Sequence, residues 1–225
     1  MKKIYKKVLF IGKKNDEYSD KIISILKKKF QFLQIYLNED RNHKFNKKTF
    51  KWKGDLIICF RSHIILSKKF ISKAKIGAIN FHPGPPNYRG IGCVNFALLK
   101  NEKKYGATVH LIDEKIDHGE IIDFRLFKIS KKDSIRNVLE KTYKTQIKQL
   151  NQLIKNLISK KFNLNLLIKN KKWSNKLYLR KNLNELYRIK NNTKKSEFER
   201  VIRATNTKKF KPYIIINGYK FVLND

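Results

Sequence analysis

The 225-residue chain is predicted to be an α/β protein: a doubly wound, Rossmann-like sheet with a long packed helix and a small C-terminal helix-hairpin unit. Three observations predict it. Short, continuous apolar runs end at glycine or polar turns, as strands buried on both faces do. Apolar residues at helical spacing separate those runs and set up a βαβ rhythm. Near the C-terminus, Asn217-Gly218 sits between two apolar segments, the pattern of a tight hairpin.

In chain order, Val8-Leu9-Phe10-Ile11 stops at Gly12 and reads as a buried strand entering a turn, with Ile22, Ile23, Leu26 and Phe30 at helical spacing behind it. Strands are expected at 32–37 and, introduced by Gly54-Asp55, at 56–60. Residues 66–75 read as a helix and 78–81 as another buried strand. Pro83-Gly84-Pro85-Pro86 then forbids regular structure, which leaves a loop at a strand's C-terminal end, where open α/β sheets place their ligand crevices. A helix at 94–99 and strands at 107–112 and 121–129 complete the sheet. Ile135, Val138, Leu139, Thr142, Gln146, Leu150, Leu153 and Leu157 follow a three-and-four spacing and predict a long amphipathic helix packed on the sheet. The Lys- and Asn-rich stretch 160–172 reads as a linker. After Trp173 a small unit follows, with a Ser196-x-x-Glu199 capping box opening a helix and a hairpin over 214–222. The expected division is a catalytic domain over 1–160 and a linker with a small subdomain over 161–225. There is no internal repeat.

The net charge of +35, from 53 Lys and Arg against 18 Asp and Glu, invites a nucleic-acid reading. The excess is mostly Lys spread from Lys2 to Lys220 among abundant Asn and Ile, a diffuse solvated surface rather than a patch. Such a field still attracts anions. Cys59 and Cys93 lie in apolar runs without a CxxC pair and read as buried thiols of a reducing, cytoplasmic compartment. No run approaches the ~20 apolar residues of a membrane helix, and the basic start Met1-Lys2-Lys3 precedes a run too short for a signal sequence.

The chemistry concentrates between Ile79 and Asp123. Asn80 and His82 are separated by one residue at a strand end, so both point to one side of the pleat while Phe81 points into the core. An amide and an imidazolium so placed can hold the negative charge that grows on a carbonyl oxygen under attack by an amine. Asp117, in Asp117-His118-Gly119, supplies the carboxylate needed to tune the imidazole and to take a proton from the amine. An Asp-x-Gly segment is ordinarily a turn, and His110 between apolar neighbours reads as a core imidazole or one standing behind the reacting groups. His118 reads as surface. The histidines and cysteines lack metal-ligand spacing, and no serine sits in a nucleophile elbow.

Taken together, Ile79-Asn80-Phe81-His82-Pro83, Tyr88-Arg89-Gly90, Gly106-Ala107-Thr108-Val109-His110 and Asp117-His118-Gly119 resemble the formyltetrahydrofolate-dependent formyltransferase family over roughly residues 7–158. The resemblance implies Asn80, His82 and Asp117 as catalytic residues and 10-formyltetrahydrofolate as formyl donor. It implies donor-binding roles for Ile64, Ile65 and Leu66 and for Asp113, Glu114, Lys115 and Ile116, and no metal. The acceptor is expected to be a primary amine on a nucleotide-linked amino sugar, with no membrane partner and with a homodimer compatible. Gly12-Lys13-Lys14-Asn15-Asp16 lacks the phosphate loop of the glycinamide ribonucleotide enzymes. The barrel of about a hundred residues carried by the methionyl-tRNA enzymes does not fit between Trp173 and Asp225. A methionyl-tRNA formyltransferase is the alternative, and an inactive nucleic-acid-binding module the second.

Overall fold

The computed structural model describes residues 4–39, 45–157, 163–207 and 210–224. Strand β1 (Ile4–Lys13) leads through helix α1 (Glu17–Lys29) into β2 (Phe30–Asn38), and α2 (Lys47–Phe50) leads into β3 (Gly54–Phe60). Helix α3 (Lys68–Ile71) precedes β4 (Ala74–His82), followed by the two-residue β5 (Arg89–Gly90) and α4 (Cys93–Leu99). β6 (Lys104–Leu111) and β7 (Ile121–Lys128) come next, then the long α5 (Ile135–Leu157) and a 3₁₀ turn at Leu164–Leu167. The chain ends in β8 (Leu177–Tyr178), α6 (Arg180–Tyr187), β9 (Arg188–Ile189), α7 (Lys195–Thr205) and the hairpin β10 (Tyr213–Ile216) with β11 (Tyr219–Val222).

The main sheet has the order β2-β1-β3-β4-β6-β7. Its first four strands are parallel, which bears out the doubly wound expectation, while β6 runs antiparallel to both its neighbours, β4 and the edge strand β7. Burial on both faces explains the unbroken apolar runs. Val8 and Phe10 of β1 pack with α1 and α5 on one face, while Leu9 and Ile11 pack with Trp52 and Phe70 on the other. Helix α1 is locally specified too: Asp16 accepts from Ser19 N at 2.9 Å as N-cap, and Lys27, Lys28 and Lys29 end it against the helix dipole. The long helix over 135–157 is as expected.

Three expectations need correction. The helix read over 66–75 is a single turn, Lys68–Ile71 capped by Ser67, because Ala74 already pairs with Gly54 in the sheet. Ser196 and Glu199 form no capping box: α7 begins at Lys195 after Lys194, so Ser196 lies inside the first turn. β8 and α6 fall where no element was expected. The division at residue 160 lies outside the described residues. Beyond it the stretch read as linker is anchored: Leu164 is buried in the main core and Lys169 N donates to Ile121 O at 2.7 Å. Helix α7 also docks on α4, where Asn95 Nδ2 donates to Ala204 O at 2.7 Å.

Leu164→Ala is expected to lower stability by about 2–5 kcal/mol, the cost of a large-to-small change in a closed core. Urea unfolding measures it, and an unchanged midpoint contradicts the anchoring.

Candidate active site

Alternation along β4 turns Asn80 and His82 to one side, while Phe81 is buried in the core behind them. The antiparallel neighbour β6 sets His110 directly opposite Asn80. The loop between β6 and β7 then returns Asp117 over the same strand end. Its Oδ2 lies 3.2 Å from His82 Nδ1 and its Oδ1 3.4 Å from His110 Nε2. Asn80 Nδ2 stands 3.1 Å from His110 Nε2 and 3.5 Å from Asp117 Oδ1.

Hydrogen bonding assigns the protons. The Tyr88 carbonyl can only accept, so His82 Nε2 donates to it at 2.7 Å, and Nδ1, facing a carboxylate, carries the second proton. His110 Nδ1 donates to the Leu111 carbonyl at 2.6 Å, which leaves Nε2 turned to Asn80 and Asp117. His82 and Asp117 are only 2% and 8% exposed, so water cannot screen the pair. Burial by itself pulls the His82 imidazole down, but the Asp117 charge and hydrogen bond prevail and hold it well above the ordinary 6.5. Burial pushes Asp117 up, and the His82 charge with hydrogen bonds from both imidazoles holds it well below the usual carboxylate range.

A strained turn presents Asp117. Its φ of 44° is left-handed, a conformation that needs outside support in a non-glycine residue. Arg89 supplies it: Nε donates to Asp117 O at 2.7 Å, Nη2 to Ile116 O at 3.0 Å and Nη1 to Ser174 O at 3.1 Å. Gly90 N donates to Asp117 Oδ2 at 2.8 Å. Gly90 is itself at φ 91°, and a Cβ there would lie 2.2 Å from the Tyr178 carbonyl, so only glycine fits. Gly119 is required for closeness rather than for its φ, since a Cβ would meet Leu111 O at 2.0 Å.

These groups form one wall of a cavity of about 980 Å³, within the range of pockets that enclose a cofactor-sized ligand. Asn80, His82, His110 and Asp117 line it, as do Ile64, Ile65, Leu66, Asp113, Lys115 and Ile116. Of the residues expected there only Glu114 is absent, exposed on the outside of its loop. Cationic lining comes from Lys13, Arg61, Lys115 and Arg180. His118, expected at the surface, is half-exposed and pairs with Asp113 at 2.6 Å. Three residues stand closer to the reacting groups than the sequence reading places them: it gives His110 as a core imidazole or one behind the reacting groups, Cys93 only as a buried thiol, and Trp173 no role. His110 joins the cluster itself, a placement its register with Asn80 could have signalled. Cys93 sits 3.9 Å from His82 Nε2, its thiol donating to Tyr88 O and Gly90 O at 3.4 Å each. Trp173 packs perpendicular to both imidazoles, with ring centroids 5.4 Å from His82 and 5.1 Å from His110, and no local pattern announces it.

The family model described as formyl transferase matches residues 6–154. The chain belongs to the formyl transferase family. The family region takes in Asn80, His82, His110 and Asp117 and leaves Trp173, Tyr178 and Arg180 outside. The chain is 32% identical over 154 residues to the bifunctional polymyxin resistance protein ArnA of Wigglesworthia glossinidia brevipalpis, covering 66% of this chain and 24% of that protein. It is 34% identical over 88 residues to the methionyl-tRNA formyltransferase of Enterococcus faecalis, covering 39% of this chain and 28% of that protein. The match thus spans only about a quarter of these two relatives' length. The N-formyltransferase of Helicobacter canadensis, solved with folinic acid and dTDP-3-aminofucose, shares the fold with a TM-score of 0.72 at 21% identity, over 94% of this chain and 84% of that one.

The charge pair fixes a pH window. A raised imidazole stabilises fully below its ordinary 6.5 and loses that contribution as pH rises through the folded value. A lowered carboxyl stabilises fully above its ordinary 3.8 and loses it as pH falls through the folded value. The melting-temperature advantage of the wild type over the doubly neutral Asp117→Asn/His82→Gln variant is therefore expected to peak between about pH 3.8 and 6.5 and to shrink on either side. An advantage independent of pH contradicts the ion pair.

Proposed function

We propose that the protein transfers a formyl group from 10-formyltetrahydrofolate to a primary amine on a nucleotide-linked amino sugar. The observation that carries this is the His82–Asp117 ion pair beside the Asn80 amide on the wall of a ligand-sized cavity. In this reading the chemistry belongs to residues 1–160, and residues 161–225 form a linker and subdomain that complete the site.

Ile64, Ile65, Leu66, Asp113, Lys115 and Ile116 would hold the donor. The apolar wall suits a flat ring, and the cavity is large enough for it. The donor supplies a formyl carbon bonded to nitrogen. Asn80 and the His82 imidazolium stabilise the negative charge that develops on the formyl oxygen when the amine attacks, an effect worth about 3–4 kcal/mol per well-placed donor. Both His82 nitrogens are engaged in the free site, so His82 acts through its charge, or directly once it exchanges the Tyr88 carbonyl for substrate. Asp117 is a poor base while His82 stays charged. It takes the amine's proton as His82 gives its own to the departing nitrogen. The amine nitrogen gains a bond to the formyl carbon, the donor nitrogen loses one, and passage of the proton from Asp117 to His82 restores the pair.

For the acceptor, Lys13, Arg61, Lys115 and Arg180 supply positive charge suited to a diphosphate. The Helicobacter canadensis enzyme, solved with a dTDP amino sugar, supports that choice by analogy of fold. The methionyl-tRNA alternative draws on the net charge of +35 and on the methionyl-tRNA formyltransferase relatives. The reading as an inactive nucleic-acid module leaves the buried charge pair without a purpose.

With a donor labelled at the formyl carbon, label is expected on nucleotide-linked amino sugars. His82→Ala and Asp117→Asn should each lower turnover by at least ~100-fold while leaving donor binding nearly unchanged. Label on methionyl-tRNA instead would overturn the acceptor. No transfer to any amine would overturn the enzyme.

A further inference from the structure

The residue that encloses the two imidazoles comes from outside the family-matched region. Trp173 lies nineteen positions beyond residue 154, where that match ends. Its ring stands at 79° to His82 and 89° to His110, touching both. Its Nε1 donates to Gly119 O at 2.8 Å, so the same side chain also holds the turn that carries Asp117.

The neighbours of Trp173 fasten it to the loop that orients the carboxylate. Ser174 N donates to Pro86 O at 3.0 Å, and Ser174 O accepts from Arg89. β8 pairs with β5, Leu177 against Arg89 and Tyr178 against Gly90, and Ile91 N donates to Tyr178 O at 2.9 Å. Tyr178 is itself buried and stacks on Phe96 at 4.1 Å and on Tyr88 at 5.8 Å. Tyr88 is the residue whose carbonyl holds His82, so residues 173–178 reach the charge pair from both ends.

Trp173 also lines a second hollow of about 740 Å³, whose walls include Arg89, His118, Gly119, Lys169, Lys171 and Lys172. The indole thus separates the buried imidazoles from a basic, water-accessible space. Truncating it joins the two, and water reaching His82 weakens the Asp117 charge that keeps it protonated.

We infer that Trp173 is a positioning residue for formyl transfer: it closes the His82–Asp117–Asn80 cluster against water and fixes the Asp117 turn without touching substrate. The inference rests on the formyl-transfer reading for its kinetic consequence, though not for its structural one. The groups that face His82 from the packed elements are Asp117, Cys93, the Tyr88 carbonyl and Trp173 itself, with His110 across Asp117.

The test compares Trp173→Ala and Trp173→Phe with wild type, using steady-state kinetics and ¹H–¹⁵N imidazole spectra across pH 5 to 9. Trp173→Ala is expected to lose on the order of 100-fold in kcat, the scale of a misplaced catalytic group, with donor KM within about threefold of wild type. Its His82 signal should titrate at lower pH than the wild-type signal. Trp173→Phe keeps a ring against the imidazoles and loses only the bond to Gly119 O, so it should recover most of the His82 shift and part of kcat. Wild-type kcat together with an unmoved His82 signal in Trp173→Ala would overturn the inference. If Trp173→Ala does not fold, Trp173→Phe decides it, since unchanged kcat and an unchanged Asp117-turn amide signal there would do the same. The spectra need no turnover, so a failure of formyl transfer itself is seen separately, as a wild type without activity.

Discussion

A carboxylate and an imidazolium 3.2 Å apart, both almost wholly removed from water, impose their requirements on everything around them. Removing either partner leaves an uncompensated buried charge, at a cost of about 3–5 kcal/mol. The protein therefore surrounds it with groups that accept or donate at fixed places. The Tyr88 carbonyl takes one proton of His82, Gly90 N and His110 complete the shell of Asp117, and Arg89 spends its whole guanidinium on three carbonyls of the supporting loops. The left-handed Asp117 backbone is held in place by that shell.

The pair also explains the division of labour among the polar side chains. In the proposed reaction Asp117, held well below the ordinary carboxylate range, serves first as a counter-ion and only secondarily as a base. Asp117 holds His82 charged before any substrate arrives, so in the proposed reaction its electrostatic work needs no reorganisation. Asn80 is half-buried and more open to the cavity than either, which makes it the group best placed to meet a carbonyl directly.

Much of this was legible in the residues, and the reasons are physical. A strand buried on both faces must be apolar at every position, so β1, β3 and β4 stand out in the sequence. Period-two alternation alone puts Asn80 and His82 on one side of the pleat. The antiparallel edge, by contrast, depends on how the chain returns through β6 and β7, and short strands do not declare their direction. The site's C-terminal wall was invisible for a different reason. Trp173, Ser174 and Tyr178 act through carbonyl hydrogen bonds and ring packing across a separation of some eighty residues from Arg89, and neither carries a periodic signature. The helix over-read at 66–75 shows the same limit: Ala74 suits a helix as well as a strand until its pairing with Gly54 of β3 decides.

The central claim is that this buried cluster meets the carbonyl of a bound formyl donor. The most direct measurement is a crystal structure of the protein with a non-reactive formyl-folate analogue. The account predicts the ring system between the 64–66 and 113–116 segments, with the formyl oxygen within hydrogen-bond distance of Asn80 Nδ2 and the His82–Asp117 pair intact beside it. An analogue seated with its formyl group remote from Asn80 and His82, or bound outside this cavity altogether, would contradict it.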